Sequence, residues 1–226
     1  MDQNEKVRDA YSLAGNSSFY DDMIACSSAS GRAVRRLVWD MDAEESDEYL
    51  ARALSGVPEG FSGRLLEVPV GTGVLTVPVF QRLPNAQITC LDYSPDMMKR
   101  AQERVERAGL TNVIFQLGDV GALPFEDESF DVVLSLHGFH VFPNKEAAYQ
   151  ETFRTLKRGG VFCGCFYVEG CCKRTDRFVR RLYQPLKFFT PPYETMDSLS
   201  ARLESMYSQV ELGNVKSMAW FVCRKE

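Results

Sequence analysis

Residues 65–79 read LLEVPVGTGVLTVPV, and this stretch constrains the fold more than any other part of the chain. A short apolar run, a glycine turn and a helix start follow one another, which is typical of the first strand and helix of a nucleotide-binding βαβ unit. Gly71 and Gly73 allow a tight turn and a close approach of the backbone to a ligand, because glycine has no Cβ. The segment therefore predicts that the first strand ends at a ligand.

The other residues of this turn indicate which ligand to expect. A dinucleotide fingerprint, G-x-G-x-x-G, needs a third glycine, and Thr76 stands at that position. Glu67 ends the strand with a carboxylate, which is unfavourable beside a phosphate and favourable beside a cation. We therefore expect a positively charged nucleoside rather than a pyrophosphate.

Two more acids follow at the ends of the next predicted strands. Asp92 ends the strand at 86–92 and lies 19 positions after Gly73, near the roughly 20-residue offset at which an acid binds ribose hydroxyls. Asp119 closes the third predicted strand, at 113–120. Each acid alone could be explained as a turn residue. The carboxyl ends of successive parallel strands share one edge of a sheet, however, so three acids there indicate one binding site.

With these motifs in order, residues 63–168 resemble the class I S-adenosylmethionine-dependent methyltransferases, in particular the small-molecule branch of the ubiquinone- and menaquinone-biosynthesis enzymes. The resemblance implies S-adenosylmethionine as cofactor and S-adenosylhomocysteine as product. It further implies that the first loop cradles the methionine part, that the second strand leads to the ribose and that the third loop lies near adenine. The residues in these three places are Glu67, Gly71, Thr72 and Gly73, then Asp92, then Gly118, Asp119 and Val120. Tyr93 and Met97 follow the second strand, and the resemblance implies that they border the adenine.

The same resemblance implies a doubly wound, Rossmann-like α/β fold with a seven-stranded mixed sheet, the last strand antiparallel, and helices on both faces. We expect residues 61–226 to form this domain, residues 1–60 to form a helical N-terminal cap segment, and residues 169–197 to form an insertion that covers the substrate. Tyr20 belongs to the cap segment. Two interpretations of it stay open, a lid over the cofactor and a tyrosine of the core.

Both histidines of the chain, His137 and His140, follow the predicted fourth strand at 132–136. Open α/β sheets bind ligands at this end of a strand. Histidine suits proton removal near neutral pH, because its ordinary pKa is about 6.5. The two histidines are therefore the candidate catalytic bases, although one could equally be a hydrogen-bonded core residue and the other a loop residue.

Composition narrows the function classes. The formal charge of −5 argues against a nucleic-acid enzyme, because phosphate backbones favour basic surfaces. No apolar run approaches the roughly 20 residues of a membrane span, and the polar, acidic N-terminus is unlike a signal peptide, so we expect a cytoplasmic protein. The seven cysteines show no C-x-x-C spacing, which predicts no metal site. The partner is then a small molecule; a homodimer stays open.

Local patterns predict further elements. Cys90, Cys163, Cys165 and Cys223 fall in predicted strands as buried thiols. Residues 157–160, KRGG, predict the end of the helix that precedes the fifth strand, and residues 213–214, Gly-Asn, predict a turn between the last two strands.

The expected function is methyl transfer from S-adenosylmethionine to a small apolar or aromatic molecule by in-line displacement. Two alternatives stay open. One is a cofactor-binding or interaction protein without catalysis, because Pro69 takes the place of the family's first glycine, fixes φ and lacks an N–H. The other is a nicotinamide-dependent oxidoreductase. Three features argue against it, namely Glu67, Thr76 and the Gly-Asp pair at 118–119.

Overall fold

The computed structural model of the chain describes residues 18–26 and 28–226. Within these residues three helices precede the first strand, and the second of them changes into a π turn. Short helical turns also follow the third strand and the seventh helix. The helices are α1 (Ser18–Ala25), α2 (Ala29–Val34, continued by the π turn Arg35–Trp39), α3 (Ala43–Leu54), α4 (Val77–Phe80), α5 (Pro95–Arg107), α6 (Lys145–Thr155), α7 (Lys173–Phe178, continued by the π turn Val179–Tyr183) and α8 (Met196–Met206), with a 3₁₀ turn at Val120–Ala122.

Seven strands form one sheet in the order β3-β2-β1-β4-β5-β7-β6. β1 to β5 pair in parallel, and β7 is antiparallel to both β5 and β6. The predicted fold class is therefore confirmed. The strands are β1 (Arg64–Glu67), β2 (Gln87–Asp92), β3 (Val113–Leu117), β4 (Phe130–Leu136), β5 (Leu156–Tyr167), β6 (Gln209–Val215) and β7 (Met218–Arg224).

The core lies on both faces of the sheet because neighbouring residues of a strand point to opposite sides. Leu65 of β1 belongs to the cluster of apolar side chains on one face, and Leu66 belongs to the cluster on the other. Ala101 of α5 joins the first cluster and Ala148 of α6 joins the second. Central strands covered on both faces explain the nearly continuous apolar runs of β1 and β4.

The four cysteines predicted in strands lie in β2, β5 and β7 and are fully buried, which confirms that prediction. The prediction of a turn at Gly213 and Asn214 is wrong, since both residues belong to β6. A Cβ on Gly213 would lie 2.5 Å from Cζ2 of Trp220 on the neighbouring strand, so this glycine makes room for an indole. The chain reverses directly after β6, at Lys216, which has a φ of +52°.

Residues 157–160 also differ from the prediction. α6 ends at Thr155, and the four residues belong to the irregular start of β5, where the pairing with β4 shifts register. Gly159 has a φ of +74°, which glycine adopts without strain. The glycines of this segment thus belong to a β-bulge at the start of β5, and they do not end a helix.

The N-terminal helices and the segment at 169–197 meet at one end of the sheet. Thr175 of α7 donates a 2.8 Å hydrogen bond to the carbonyl of Val38, and Arg174 pairs with Asp40. α3 packs against β5, β6 and β7. That residues 1–60 act as a cap and 169–197 as a substrate cover stays a prediction. Among the described helices, none has the length and apolarity to cross a membrane.

Candidate functional site

A cavity opens at the carboxyl ends of β1, β2 and β3 and extends past the end of β4. This is the point where the strand order reverses, from β1 to β2 on one side and from β1 to β4 on the other. We call it the donor cavity. Its lining includes the ten cofactor-binding residues predicted from the glycine loop and the two following strands, namely Glu67, Gly71, Thr72, Gly73, Asp92, Tyr93, Met97, Gly118, Asp119 and Val120.

Asp92 connects the end of β2 to the glycine loop. One carboxylate oxygen accepts a 2.8 Å hydrogen bond from the Gly71 N–H, and the other accepts one of 2.8 Å from the Ser94 N–H. Burial raises the pKa of Asp92 to about 6, although these backbone hydrogen bonds oppose the rise. Each carboxylate oxygen has a further lone pair, so the group can still accept hydrogen bonds from a ligand.

Glu67 lies at the end of β1 and is almost fully buried. Burial raises its pKa well above the ordinary value, and the Cys90 thiol donates a weak hydrogen bond to it across 3.8 Å. No ion pair of the described residues involves Glu67. A buried carboxyl without a cation suits a positively charged ligand, which would lower the cost of ionising it.

The glycine loop has the backbone conformation that the sequence indicated. Gly71 and Gly73 have φ values of +55° and +68°, which residues with a Cβ rarely adopt. Pro69 packs its ring against the loop after β4: a Cβ on Gly138 would lie 2.6 Å from the Pro69 Cδ. The proline therefore supports the loop entrance through packing.

α1 is fixed to the glycine loop through one side chain. The carboxylate of Asp21 accepts hydrogen bonds from the Thr72 hydroxyl and from both Arg100 and Arg104 on α5, the last at 2.9 Å. Arg104 also donates to the Thr72 carbonyl at 2.5 Å. α1 thus lies beside the donor cavity, to which it contributes Ile24. Tyr20 is part of the same helix, but its side chain lies outside the described part of the structure.

His137 borders the donor cavity directly after β4. Its backbone has a φ of +56°, an unfavourable conformation for a residue with a Cβ, and its N–H donates to the Cys165 carbonyl at 2.7 Å. Burial lowers its pKa to about 4. Its Nε2 is buried, and no described group forms a hydrogen bond with it. The ring at the cavity edge is therefore neutral, and one of its nitrogens has no partner among the described groups.

A second cavity lies on the other side of His137, and we call it the aromatic cavity. His137 and Ile24 border both cavities. His140 belongs to the aromatic cavity, with its ring stacked on Phe189 at a centroid distance of 4.1 Å. The remaining lining residues are Cys26, Arg35, Trp39, Met41, Ser46, Tyr49, Tyr183, Phe188 and Met218.

The protonation of His140 follows from its partner. Its Nδ1 accepts a 3.2 Å hydrogen bond from the Tyr167 N–H, so in the neutral ring the proton lies on Nε2. Burial lowers the pKa of His140 well below its ordinary value. The ring therefore presents a hydrogen-bond donor at Nε2. This arrangement does not favour the predicted role of His140 as a base, because the one nitrogen lone pair of the neutral ring, on Nδ1, already accepts the hydrogen bond from Tyr167.

Because burial keeps both rings neutral, we expect neither histidine to titrate between about pH 5.5 and 8, where an unperturbed histidine does. His137 should begin to protonate only as the pH falls towards about 4. Two-dimensional NMR of protein labelled with ¹⁵N-histidine measures this directly. The chain has only two histidines, so the His137→Gln variant assigns both signals. A titration midpoint near 6.5 for either ring would contradict the expectation.

Fold and site together define an α/β protein with a cavity at the carboxyl edge of its sheet, lined by the strand-end acids and the glycine loop. Residues 65–160 match the family described as "Methyltransferase domain". Over these residues the chain is similar to a methyltransferase domain, in agreement with the resemblance to the class I, S-adenosylmethionine-dependent methyltransferases that the sequence motifs carry.

Two curated relatives and one solved structure illustrate the likeness. The demethylmenaquinone methyltransferase of Thermus thermophilus is 37% identical over 109 residues, which are 48% of this chain and 49% of that protein. The phosphatidylethanolamine N-methyltransferase of Cereibacter sphaeroides is 33% identical over 58% of this chain and 64% of that protein. This chain thus spans about half to two thirds of their length.

The solved structure is phosphoethanolamine N-methyltransferase 2 of Haemonchus contortus, in complex with phosphomonomethylethanolamine and S-adenosylhomocysteine. It superposes with a TM-score of 0.69 over 97% of this chain and 60% of that chain, at 16% identity. At this identity the likeness supports the fold alone.

Sequence reasoning missed the residues that α1 and α2 bring to the site, chiefly Asp21, Ile24 and Arg35. A signal for Asp21 was present: Arg100 and Arg104 stand four positions apart, so one helix face of α5 presents two cations to a single carboxylate. No comparable pattern marks Ile24 or Arg35, whose positions depend on tertiary packing.

Proposed function

We propose that the chain transfers a methyl group from S-adenosylmethionine to a small apolar or aromatic molecule bound in the aromatic cavity. The observation that carries the proposal is the boundary between the two cavities. One cavity is lined by three strand-end acids, the other by aromatic rings, and His137 and Ile24 border both. A methyl donor and an acceptor bound on either side of this boundary would be close to each other.

The donor cavity fits a cationic nucleoside. Glu67 is buried without a cationic partner among the described residues, so a bound amino group or sulfonium would compensate its charge. Asp92 has lone pairs left for ribose hydroxyls, and Asp119 lies where the adenine is expected. Tyr93 and Met97 border the same cavity, and a thioether next to an aromatic ring suits a flat heterocycle.

When bound, S-adenosylmethionine supplies an activated methyl group, which passes to a lone pair of the acceptor as the electrons of the carbon–sulfur bond stay on sulfur. The chain's own task is alignment, which can lower a barrier by roughly 7–11 kcal/mol. The glycine loop and Asp92 hold the donor side, and the aromatic rings hold the acceptor side. His140 orients the acceptor by donating from Nε2, and the neutral ring of His137 lies at the boundary between donor and acceptor.

Calorimetric titration with S-adenosylmethionine, S-adenosylhomocysteine and NAD tests the proposal. We expect micromolar binding of the first two compounds and none of NAD, because Thr76 replaces the third glycine of the dinucleotide motif. Tight NAD binding would favour the oxidoreductase alternative. If neither adenosyl compound bound, the alternative of an interaction protein would take precedence. Binding of both justifies an acceptor screen read out by methylated product.

A further inference from the structure

We propose that the aromatic cavity binds a planar aromatic carboxylate, whose anionic group pairs with the guanidinium of Arg35. This inference rests on the proposed function, since it names the class of molecule that the acceptor side takes. It makes Arg35 a residue that determines specificity, at a distance from the transferred methyl group.

Arg35 is the one cationic side chain among the described residues that line the aromatic cavity, and no carboxylate lies among them. Its Nε is buried and forms no hydrogen bond with a described group, and none of the ion pairs of the described residues includes it. Buried polar groups are normally hydrogen-bonded, so an unpaired guanidinium nitrogen at a cavity indicates a ligand that accepts.

No carboxylate among the residues around Arg35 supplies the missing acceptor. The Cys26 side chain makes a hydrogen bond with Arg35, but burial raises the pKa of that thiol, so this contact brings no negative charge. Asp22 lies near Cys26, but its carboxylate accepts a 2.6 Å hydrogen bond from the Ser28 N–H as well as one from the Ser28 hydroxyl. The guanidinium therefore has no carboxylate partner among the ion pairs of the described residues. The single positive charge of Arg35 matches a ligand with one negative charge, and its planar guanidinium can donate two parallel hydrogen bonds to a carboxylate.

The aromatic cavity also contains a cluster of flat rings. Tyr183 lies nearly parallel to Trp39 at a centroid distance of 6.2 Å and nearly parallel to Phe189 at 5.3 Å, both with interplanar angles of 17°. His140 extends the stack from the other side of Phe189. Such faces favour an aromatic ring over an aliphatic chain, since offset stacking adds to the hydrophobic contribution.

The ends of the cavity give the ligand a direction. Arg35 borders the aromatic cavity only, while His137 borders the donor cavity as well. In the proposed orientation the carboxylate lies at Arg35 and the far side of the aromatic ring faces the boundary with the donor cavity, at His137. His140 also lines this cavity, and its Nε2 can donate a hydrogen bond to a second oxygen of the acceptor. The methylated atom lies at the His137 end.

The test compares 2-naphthoate with its neutral analogue 2-naphthamide by calorimetry, with and without saturating S-adenosylhomocysteine. We expect the wild-type protein to bind the acid about tenfold or more tightly than the amide, because a hydrogen bond to a charged group is worth more than a neutral one. Arg35→Gln should remove this preference and Arg35→Lys should keep part of it. The matched control is Arg36→Gln, since Arg36 is the exposed neighbour and should leave the preference unchanged.

A second measurement locates the ligand and does not depend on a variant that folds. In protein labelled with ¹⁵N-histidine, 2-naphthoate should shift the signals of His140 and His137. Equal binding of acid and amide, a preference that persists in Arg35→Gln, or unshifted histidine signals would each overturn the inference. If S-adenosylhomocysteine fails to bind while the Arg35-dependent preference holds, the anion site stands and the proposed methyl transfer falls.

Discussion

Replacing Asp92 with alanine should weaken the binding of S-adenosylhomocysteine by about 100-fold, since each hydrogen bond to a charged group contributes roughly 1.5–3 kcal/mol. Two effects combine. The variant loses the acceptor for the ribose hydroxyls, and it frees the Gly71 N–H that the carboxylate now holds at 2.8 Å. Calorimetry measures the loss of affinity. The matched control is Asp127→Ala, whose side chain is 75% exposed.

The same interaction predicts a pH dependence with a definite sign. The pKa of Asp92 is raised to about 6 in the free protein, whereas ribose hydroxyls would favour the ionised carboxylate. Affinity should therefore fall as the pH falls through about 6, by about tenfold per pH unit at most below that value. The affinity of the Asp92→Ala variant should not show this dependence on pH. Wild-type affinity in the variant would show that Asp92 does not hold the ribose.

Replacing Gly164 with alanine should lower the free energy of unfolding by about 3 kcal/mol or more, the upper range for overpacking a core. Gly164 lies in β5 opposite Ser135 of β4 and Phe221 of β7. A Cβ there would lie 2.0 Å from the Ser135 carbonyl oxygen, which is backbone of a central strand and cannot turn aside. Chemical denaturation measures the effect.

Gly109→Ala is the control for this glycine. Gly109 follows α5 with a φ of +69°, and a Cβ there would have no atom within 4 Å. Its replacement costs only the conformational strain, roughly 1–2 kcal/mol. If Gly164→Ala were no less stable than Gly109→Ala, the close approach of β4 and β5 would not be the reason for the glycine.

The sheet and the donor cavity could be predicted because both follow from local patterns. Glu67, Asp92 and Asp119 each end an apolar run, and parallel strands carry their ends to one edge regardless of the rest of the chain. Gly71 and Gly73 have the φ values that their loop requires. These inferences need only strand periodicity and the backbone freedom of glycine.

The aromatic cavity could not be predicted because it joins distant segments. Arg35 comes from α2, His140 from the loop after β4, and Tyr183 from the end of α7. The interpretation of His140 as a base rested on its ordinary pKa, and the sequence held no sign that the Tyr167 N–H would fix its proton on Nε2. Gly213 was assigned to a turn because the bulk of Trp220 on another strand is invisible in sequence.

α1 links the two cavities to each other. Ile24 borders both cavities, so one helix closes both sides, and the Asp21 carboxylate that fixes this helix is bound to the Thr72 hydroxyl of the glycine loop. A movement that opens the acceptor side must therefore disturb the loop that holds the donor. In the proposed reaction, ligand exchange would then need one shared opening, and we expect its rate to depend on ionic strength because Asp21 pairs with two half-buried arginines.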